Sequence, residues 1–254
     1  DLSKDKIENY LKISSNVAKE HKFFHWEVEF PEIFLTEEGK IRENKGFSVT
    51  LGNPPWDMVK ENLDEFFSNY DSNFRSYDRQ EKVKVMDKLL TDKNISDVFT
   101  HYQNNFNSEI NYFYNSYSYH GKGHMNTYKL FLEKNFDILS ERGHCSIIVP
   151  SSLYTDVGSF ELRKLLMDNT NINGLLCFEN KFRIFPIHGS FKFVLLYYKK
   201  EKSTNGTIPC KFRMWKIEEL SDFKLLDIQI DIIKKFSPET YSIMEFNSQD
   251  EINI

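Results

Sequence analysis

From Thr127 onward the chain alternates helices with short apolar strands, and that rhythm allows few folds. TYKLFLEKNFDILSE (127–141) places Tyr128, Phe131, Leu132 and Leu139 on one helical face, with Arg142-Gly143 as its stop. CSIIV (145–149) reads as a buried strand ending at Pro150, and SFELRKLLMD (159–168) as a helix. INGLLCF (172–178), FKFVLLYY (191–198) and IPCKFRMW (208–215) read as further strands, with Asn205-Gly206 as a hairpin signal before the last. Strands alternating with helices predict an α/β domain with a mostly parallel sheet. Ahead of this, residues 3–20 have helical spacing behind a possible Ser3 cap, and FSVTL (47–51) reads as a short buried strand. Residues 57–126 are the least regular. ENLDEFFSNY and RQEKVKVMDKLL look helical, and YFYNSYSYHGKGHMN (112–126) reads as an aromatic, Gly-punctuated loop. The tail, 216–254, is charged and partly helical.

The predicted strand 47–51 runs into Gly52-Asn53-Pro54-Pro55-Trp56. Adjacent prolines stop a strand and block a helix. Open α/β sheets take their ligands at the carboxyl ends of the strands, which is where this tetrad sits. An exocyclic amine of a nucleobase is a poor nucleophile because its lone pair is delocalised into the ring. Two acceptors on its two hydrogens would localise that pair. The Asn53 side-chain oxygen supplies one and the Pro54 carbonyl the other. Pro55 keeps Pro54 out of the helical region, and Trp56 offers a face for stacking, worth about 1–3 kcal/mol per base. That offsets the few kcal/mol needed to take a base out of its duplex.

Asn53-Pro54-Pro55-Trp56 resembles the (N/D/S)-P-P-(Y/F/W) signature of amino-group methyltransferases that use S-adenosylmethionine. Chance would place such a tetrad in on the order of one chain of this length in several hundred. The resemblance extends further. FHWEVEFPEIF (24–34) ahead of the tetrad, YKLFLEKNFDILSERGHCSIIVPSSLYTDVGSFELRKLL after it, FENKFRIFPIHGSFKFVLLYYKK and FSPETYSIMEF are similar to the adenine-specific methyltransferase domains of type IIG restriction–modification proteins. These stretches cover most of residues 24–246. The resemblance implies the gamma order of motifs, with the cofactor motif before the catalytic loop and target recognition after it. It also implies the fold: the C-terminal half of a Rossmann-like methyltransferase sheet, mostly parallel, with an antiparallel hairpin strand near the end.

Roles carry over only to matching positions. Asn53 and Pro54 would hold the amino group and Trp56 would stack on the base. Phe185, in IFPIHGS, would pack its other side. Tyr128 would lie near the cofactor, and Ser151, His188 and Lys192 would face DNA. Residues 1–200 form the expected catalytic part, with 57–126 as an insertion, and 201–254 the last strand and a connector toward a target-recognition domain. Double-stranded DNA is the implied partner, together with a cofactor-binding or specificity region of the parent protein.

One family element has no match. The Gly-rich turn after a strand, of the D-P-x-x-G-x-G type, is missing from a chain with only 10 Gly. The only G-x-G is Gly121–Gly123, which follows NSYSYH and lies after the tetrad. The expectation is therefore half of an active site, with the cofactor motif elsewhere in a longer protein, on another chain, or lost. Starting at Asp1 and ending in DEINI fits a segment of something longer. A non-catalytic half-domain that binds DNA or a cofactor-binding partner is the alternative. Cytosine N4 and protein glutamine methylation are enzymatic variants that use a similar tetrad.

Other chemistries are poorly supported by the residues. Cys145, Cys177 and Cys210 are odd in number and far apart, as expected of reduced thiols in a cytoplasmic protein. His120 and His124 share an i, i+4 spacing without a third ligand, so no metal site is expected. A net charge of -5 places dominant phosphate contacts elsewhere. No apolar run reaches membrane-spanning length, and no signal peptide is seen.

Overall fold

A computed structural model describes residues 3–121, 123, 125–221 and 224–252. Six strands form one sheet in the order β1-β2-β4-β3-β5-β6. They are β1 (Phe47–Gly52), β2 (Leu139–Pro150), β3 (Asn171–Glu179), β4 (Lys192–Lys199), β5 (Thr207–Met214) and β6 (Leu226–Gln229). β1 pairs parallel with β2, and β3 with β5, while β4 runs antiparallel to both β2 and β3. β6 closes the far edge antiparallel to β5. Four strands thus share one direction and two oppose it. The expected α/β fold with a mostly parallel sheet is present.

The antiparallel strand is β4, inserted between β2 and β3. The Asn205-Gly206 turn does not make a hairpin. Gly206 takes φ +64°, but the chain then passes across β3, and β5 pairs on its other side. A tight turn reverses the chain locally, and strand pairing is decided by the apolar face that each strand buries.

One face of the sheet is covered. Cys145, Ile147, Val149, Val194, Leu196, Tyr198, Leu175 and Cys177 form a single core with residues of several helices, chiefly three. These are α7 (Thr127–Ile138), α9 (Phe160–Asn169) and α10 (Ile230–Phe236). Alternation along the strands sends the neighbouring residues to the opposite face. There Val49 is 63% and Leu51 83% exposed, and Ile148, Leu176 and Leu195 are half-buried. Among the described residues β1 pairs on one side only.

The start of β1 is fixed by aromatic packing. The rings of Trp26, Phe30 and Phe34 each meet Phe47 edge-on at 5.3–5.7 Å. Trp26 comes from a short helix, α2 (Trp26–Glu29), Phe34 from another, α3 (Pro31–Phe34), and Phe30 from the junction between them, so the FHWEVEFPEIF stretch is helical at both places. Gly46, at φ +114°, is required here, because a Cβ would sit 2.5 Å from the Ile138 carbonyl oxygen. The described side chains of the N-terminal α1 (Lys4–His21) are exposed.

The irregular region resolves into helices with a core of their own. α4 (Leu63–Ser68), α5 (Arg79–Leu89) and α6 (Lys93–Ser116) bury Phe66, Phe67, Phe74 and Phe99 together. Asp92 caps α6 by accepting from Asn94 N at 2.8 Å. The expected loop at 112–126 is therefore helical up to Ser116. At the other end α7 stops at Ile138, earlier than expected. Arg142 then takes φ +66° within β2, which begins at Leu139. Two short helices, α8 (Ser152–Thr155) and α11 (Gln249–Ile252), complete the fold.

Candidate functional site

β1, β2, β3 and β5 end at the same edge of the sheet, at Gly52, Pro150, Glu179 and Met214. The Asn53–Trp56 loop, the Ser151–Ser152 turn and the 180–191 loop therefore converge there. This is the edge where an open α/β sheet receives a ligand.

Within the loop Asn53 is exposed, Pro54 buried and Trp56 half-buried. Among the described residues neither the Asn53 side chain nor the Pro54 carbonyl makes a hydrogen bond, which leaves both expected acceptors available. Trp56 is anchored. Its indole Nε1 donates to the Ile148 carbonyl at 3.3 Å, and its ring stacks on Phe193 at 6.1 Å and 29°. Phe193 stacks on Phe178 at 5.2 Å and 5°. The rings of Trp56 and Phe185 meet edge-on at 5.7 Å and 78°. The structure thus brings together the two residues expected to flank a base. It holds them in mutual contact, whereas a base between parallel faces needs about 7 Å, two contacts of ~3.5 Å. Base entry must therefore separate the two rings.

Two residues that build this site were missed in the sequence. Asn180 is fully buried (0% exposed) at the end of β3. Its Nδ2 donates to the carbonyls of Phe185 and Ile187 at 3.0 and 3.1 Å, and its Oδ1 accepts from Phe185 N at 3.0 Å. One amide side chain thus folds the turn that presents Phe185. Thr127, the first residue of α7, donates its hydroxyl to the carbonyls of Pro55 at 2.7 Å and Asp57 at 3.0 Å. The only sequence signal for Asn180 is an amide directly after an apolar strand. Thr127 gives none.

Tyr128 lies in the core. It is 1% exposed, with its hydroxyl at 2.9 Å from Ser152 Oγ and 3.2 Å from Ser159 Oγ, and burial raises its pKa. Its helical phase points it toward the sheet. Lys192 is engaged, with Nζ 2.9 Å from Glu245 Oε1 and 3.6 Å from Glu179 Oε1. It ties β4 to the C-terminal segment, and an expected phosphate contact would have to compete with those carboxylates. His188 is exposed, with Nδ1 at 2.7 Å from Ser190 Oγ. Ser151 is half-buried and its backbone N–H donates to the Lys192 carbonyl at 3.0 Å. Both stand on the ligand-side edge.

The segment before α7 is fixed by buried polar groups. Glu133, 4% exposed, accepts from Ser118 N at 2.6 Å and Tyr119 N at 2.9 Å, and burial raises its pKa. Lys129 is also buried. Its Nζ donates to the Gly158 carbonyl at 2.6 Å, and burial lowers its pKa. Gly121 packs so closely on Gly158 that a Cβ would lie 2.2 Å from its carbonyl oxygen. Gly121 thus serves a backbone contact, and Lys122 lies outside the described residues. The described residues place Asn53–Trp56 and Phe185 together at this edge of the sheet. No group of three His, Cys, Asp or Glu residues among them is placed to hold a metal, and His124 of the expected pair lies outside the described residues. No helix among them is long and apolar enough to cross a membrane.

A family model described as Eco57I restriction-modification methylase matches residues 1–88 and 99–185, and the chain belongs to that family. A search of curated proteins gives no match. Solved structures that resemble it include the DrdV–DNA complex, at 15% identity and a TM-score of 0.41, covering 82% of this chain and 19% of that one. The ATP-dependent type ISP restriction-modification enzyme LlaBIII bound to DNA matches at 14% and 0.35, covering 65% and 10%. The M protein of the type I restriction enzyme EcoKI matches at 20% and 0.30, covering 33% and 19%. The chain spans a fifth or less of the length of these three structures.

Proposed function

We propose that this chain is the base-binding part of a DNA methyltransferase that moves a methyl group from S-adenosylmethionine to the N6 amino group of an adenine flipped out of double-stranded DNA. Family membership supports the reaction class. The single observation that carries the reading is the Asn53–Trp56 loop, with its two acceptors unengaged beside an aromatic cluster at the ligand edge. Asn53 and the Pro54 carbonyl accept the two amine hydrogens and return the lone pair to nitrogen. Trp56, moved off Phe185, receives the base face. His188 and Ser151 stand at the rim, on the side where DNA would approach.

The open edge of β1 and the exposed Val49 and Leu51 beside it support a place for a cofactor cradle. Parallel sheets are normally covered on both faces. A strand added parallel to β1 and wound outward by right-handed crossovers would place its helix over Val49, Leu51, Ile148 and Leu195. The strand-order reversal would then fall at β1, beside Asn53. The region bearing the cradle, in the same protein or a partner, is assigned to this surface.

A second reading is a non-catalytic half-domain that binds DNA or a partner. The absence of a cofactor cradle among the described residues favours it. Mass analysis of nucleosides from DNA treated with the full-length protein separates the readings. N6-methyladenine formed by the wild type and lost in Asn53→Ala is expected. N4-methylcytosine, or N6-methyladenine undiminished in Asn53→Ala, would refute the adenine assignment, and no modified base would favour the half-domain.

A further inference from the structure

The backbone of the tetrad has few soft dihedrals. Its peptide units are planar, the rings fix φ of Pro54 and Pro55, and Pro55 restricts ψ of Pro54. The first free rotation between the diproline unit and Trp56 is ψ of Pro55. That angle sets the direction of the Pro55 carbonyl, and this carbonyl accepts the Thr127 hydroxyl at 2.7 Å. The same hydroxyl lies 3.0 Å from the Asp57 carbonyl, which also accepts from Thr127 N at 2.9 Å. Val59 N donates to the Met125 carbonyl at 2.8 Å, and Met58 bridges Asn126. Thr127 sits at the first position of α7, behind the N-cap Asn126, so the helix does not depend on its hydroxyl.

We propose that Thr127 is a positioning residue. Its hydroxyl fixes ψ of Pro55 and so holds the Asn53–Pro54 acceptors in register with Trp56. The assignment rests on the reading of 53–56 as the loop that grips an amino base. A single hydrogen bond spans 72 residues of sequence to reach the one rotation that the prolines leave free.

The test uses a Trp26→Phe, Trp215→Phe background in which Trp56 is the only tryptophan. Thr127, Thr127→Val (same shape, no hydroxyl), Thr127→Ala (smaller, no hydroxyl) and Thr127→Ser (hydroxyl kept) are compared. Acrylamide quenching reports the freedom of Trp56. Losing one hydrogen bond should raise its accessibility about fivefold in the Val and Ala variants, and Ser should restore it. The second readout is binding of a DNA duplex with one bulged adenine against the same duplex with a bulged purine, which lacks only the amino group. The preference for adenine should disappear in Val and Ala and return in Ser, at a temperature where all variants show wild-type circular dichroism. The Ala variant serves if Val does not fold.

Unchanged quenching in Val or Ala overturns the proposal, and so does failure of Ser to restore it. A wild type with no adenine preference, but with the expected quenching pattern, overturns the base-gripping reading and leaves the latch standing. An adenine preference retained in Val and Ala overturns the latch and leaves the reading of the loop standing.

Discussion

Asn180→Ala tests how the aromatic side of the site is built. The side chain is fully buried and makes three short hydrogen bonds to the 185–187 backbone, at 3.0, 3.1 and 3.0 Å. A third carbonyl, of His188, lies at 3.4 Å. Each bond contributes about 1 kcal/mol net, and a buried partner left unpaired costs about 1–3 kcal/mol. Alanine should therefore cost about 3 kcal/mol or more. At about 2–4 °C per kcal/mol for a chain of this size, the thermal midpoint should fall by roughly 6–12 °C. Asn180→Asp should do worse, because it keeps the acceptor, loses both donors and sets a carboxylate against backbone carbonyls. Calorimetry gives the midpoints. The emission of Trp56, whose ring meets Phe185 at 5.7 Å, should shift with the loop in both variants. A loss below about 1 kcal/mol for Ala would refute the claim that this amide holds the turn.

Gly121→Ala should lower the midpoint by about 4–8 °C, since it adds roughly 2 kcal/mol from a positive φ and a Cβ 2.2 Å from the Gly158 oxygen; an unchanged midpoint in calorimetry would contradict the close approach. Glu133 has a pKa raised by burial. A folded-state pKa above the unfolded one gives stability that is present below about pH 4.3 and lost as pH rises through the folded value. The stability of the wild type relative to Glu133→Gln should therefore decline as pH is raised across that window. Midpoints for both proteins from pH 4 to 7, about one unit apart, check it, and a flat or rising difference would contradict the burial argument.

Much of the fold was legible because β3, β4 and the end of β2 carry apolar runs, while β5 alternates buried with more exposed residues. Their order was not. The Asn205-Gly206 pair specifies a reversal without saying which strand the chain joins, and the burial of Cys210 and Phe212 decided for β3. The end of α6 looked like a loop because Tyr112, Tyr114, Asn115 and Ser116 are weak helix formers. They continue a helix already capped at Asp92 and packed through Phe99. β6 is four residues long, and its apolar–polar alternation is too short to stand out in a charged tail. At the site, Asn53–Trp56 was visible because two prolines and a tryptophan are rare together. Thr127 and Asn180 were hidden because each acts on backbone carbonyls, which carry no residue identity. For Tyr128 the sequence fixes the helical face but not which layer that face meets.

The central claim is that the loop grips an amine. Its most direct measurement is the affinity of the wild-type chain for a duplex with one bulged adenine, relative to a bulged purine, with Asn53→Ala alongside. Two hydrogen bonds to one amino group, at about 1 kcal/mol each, predict a preference of about 30-fold for adenine, which Asn53→Ala should reduce. Equal affinity for adenine and purine in the wild type would contradict the account.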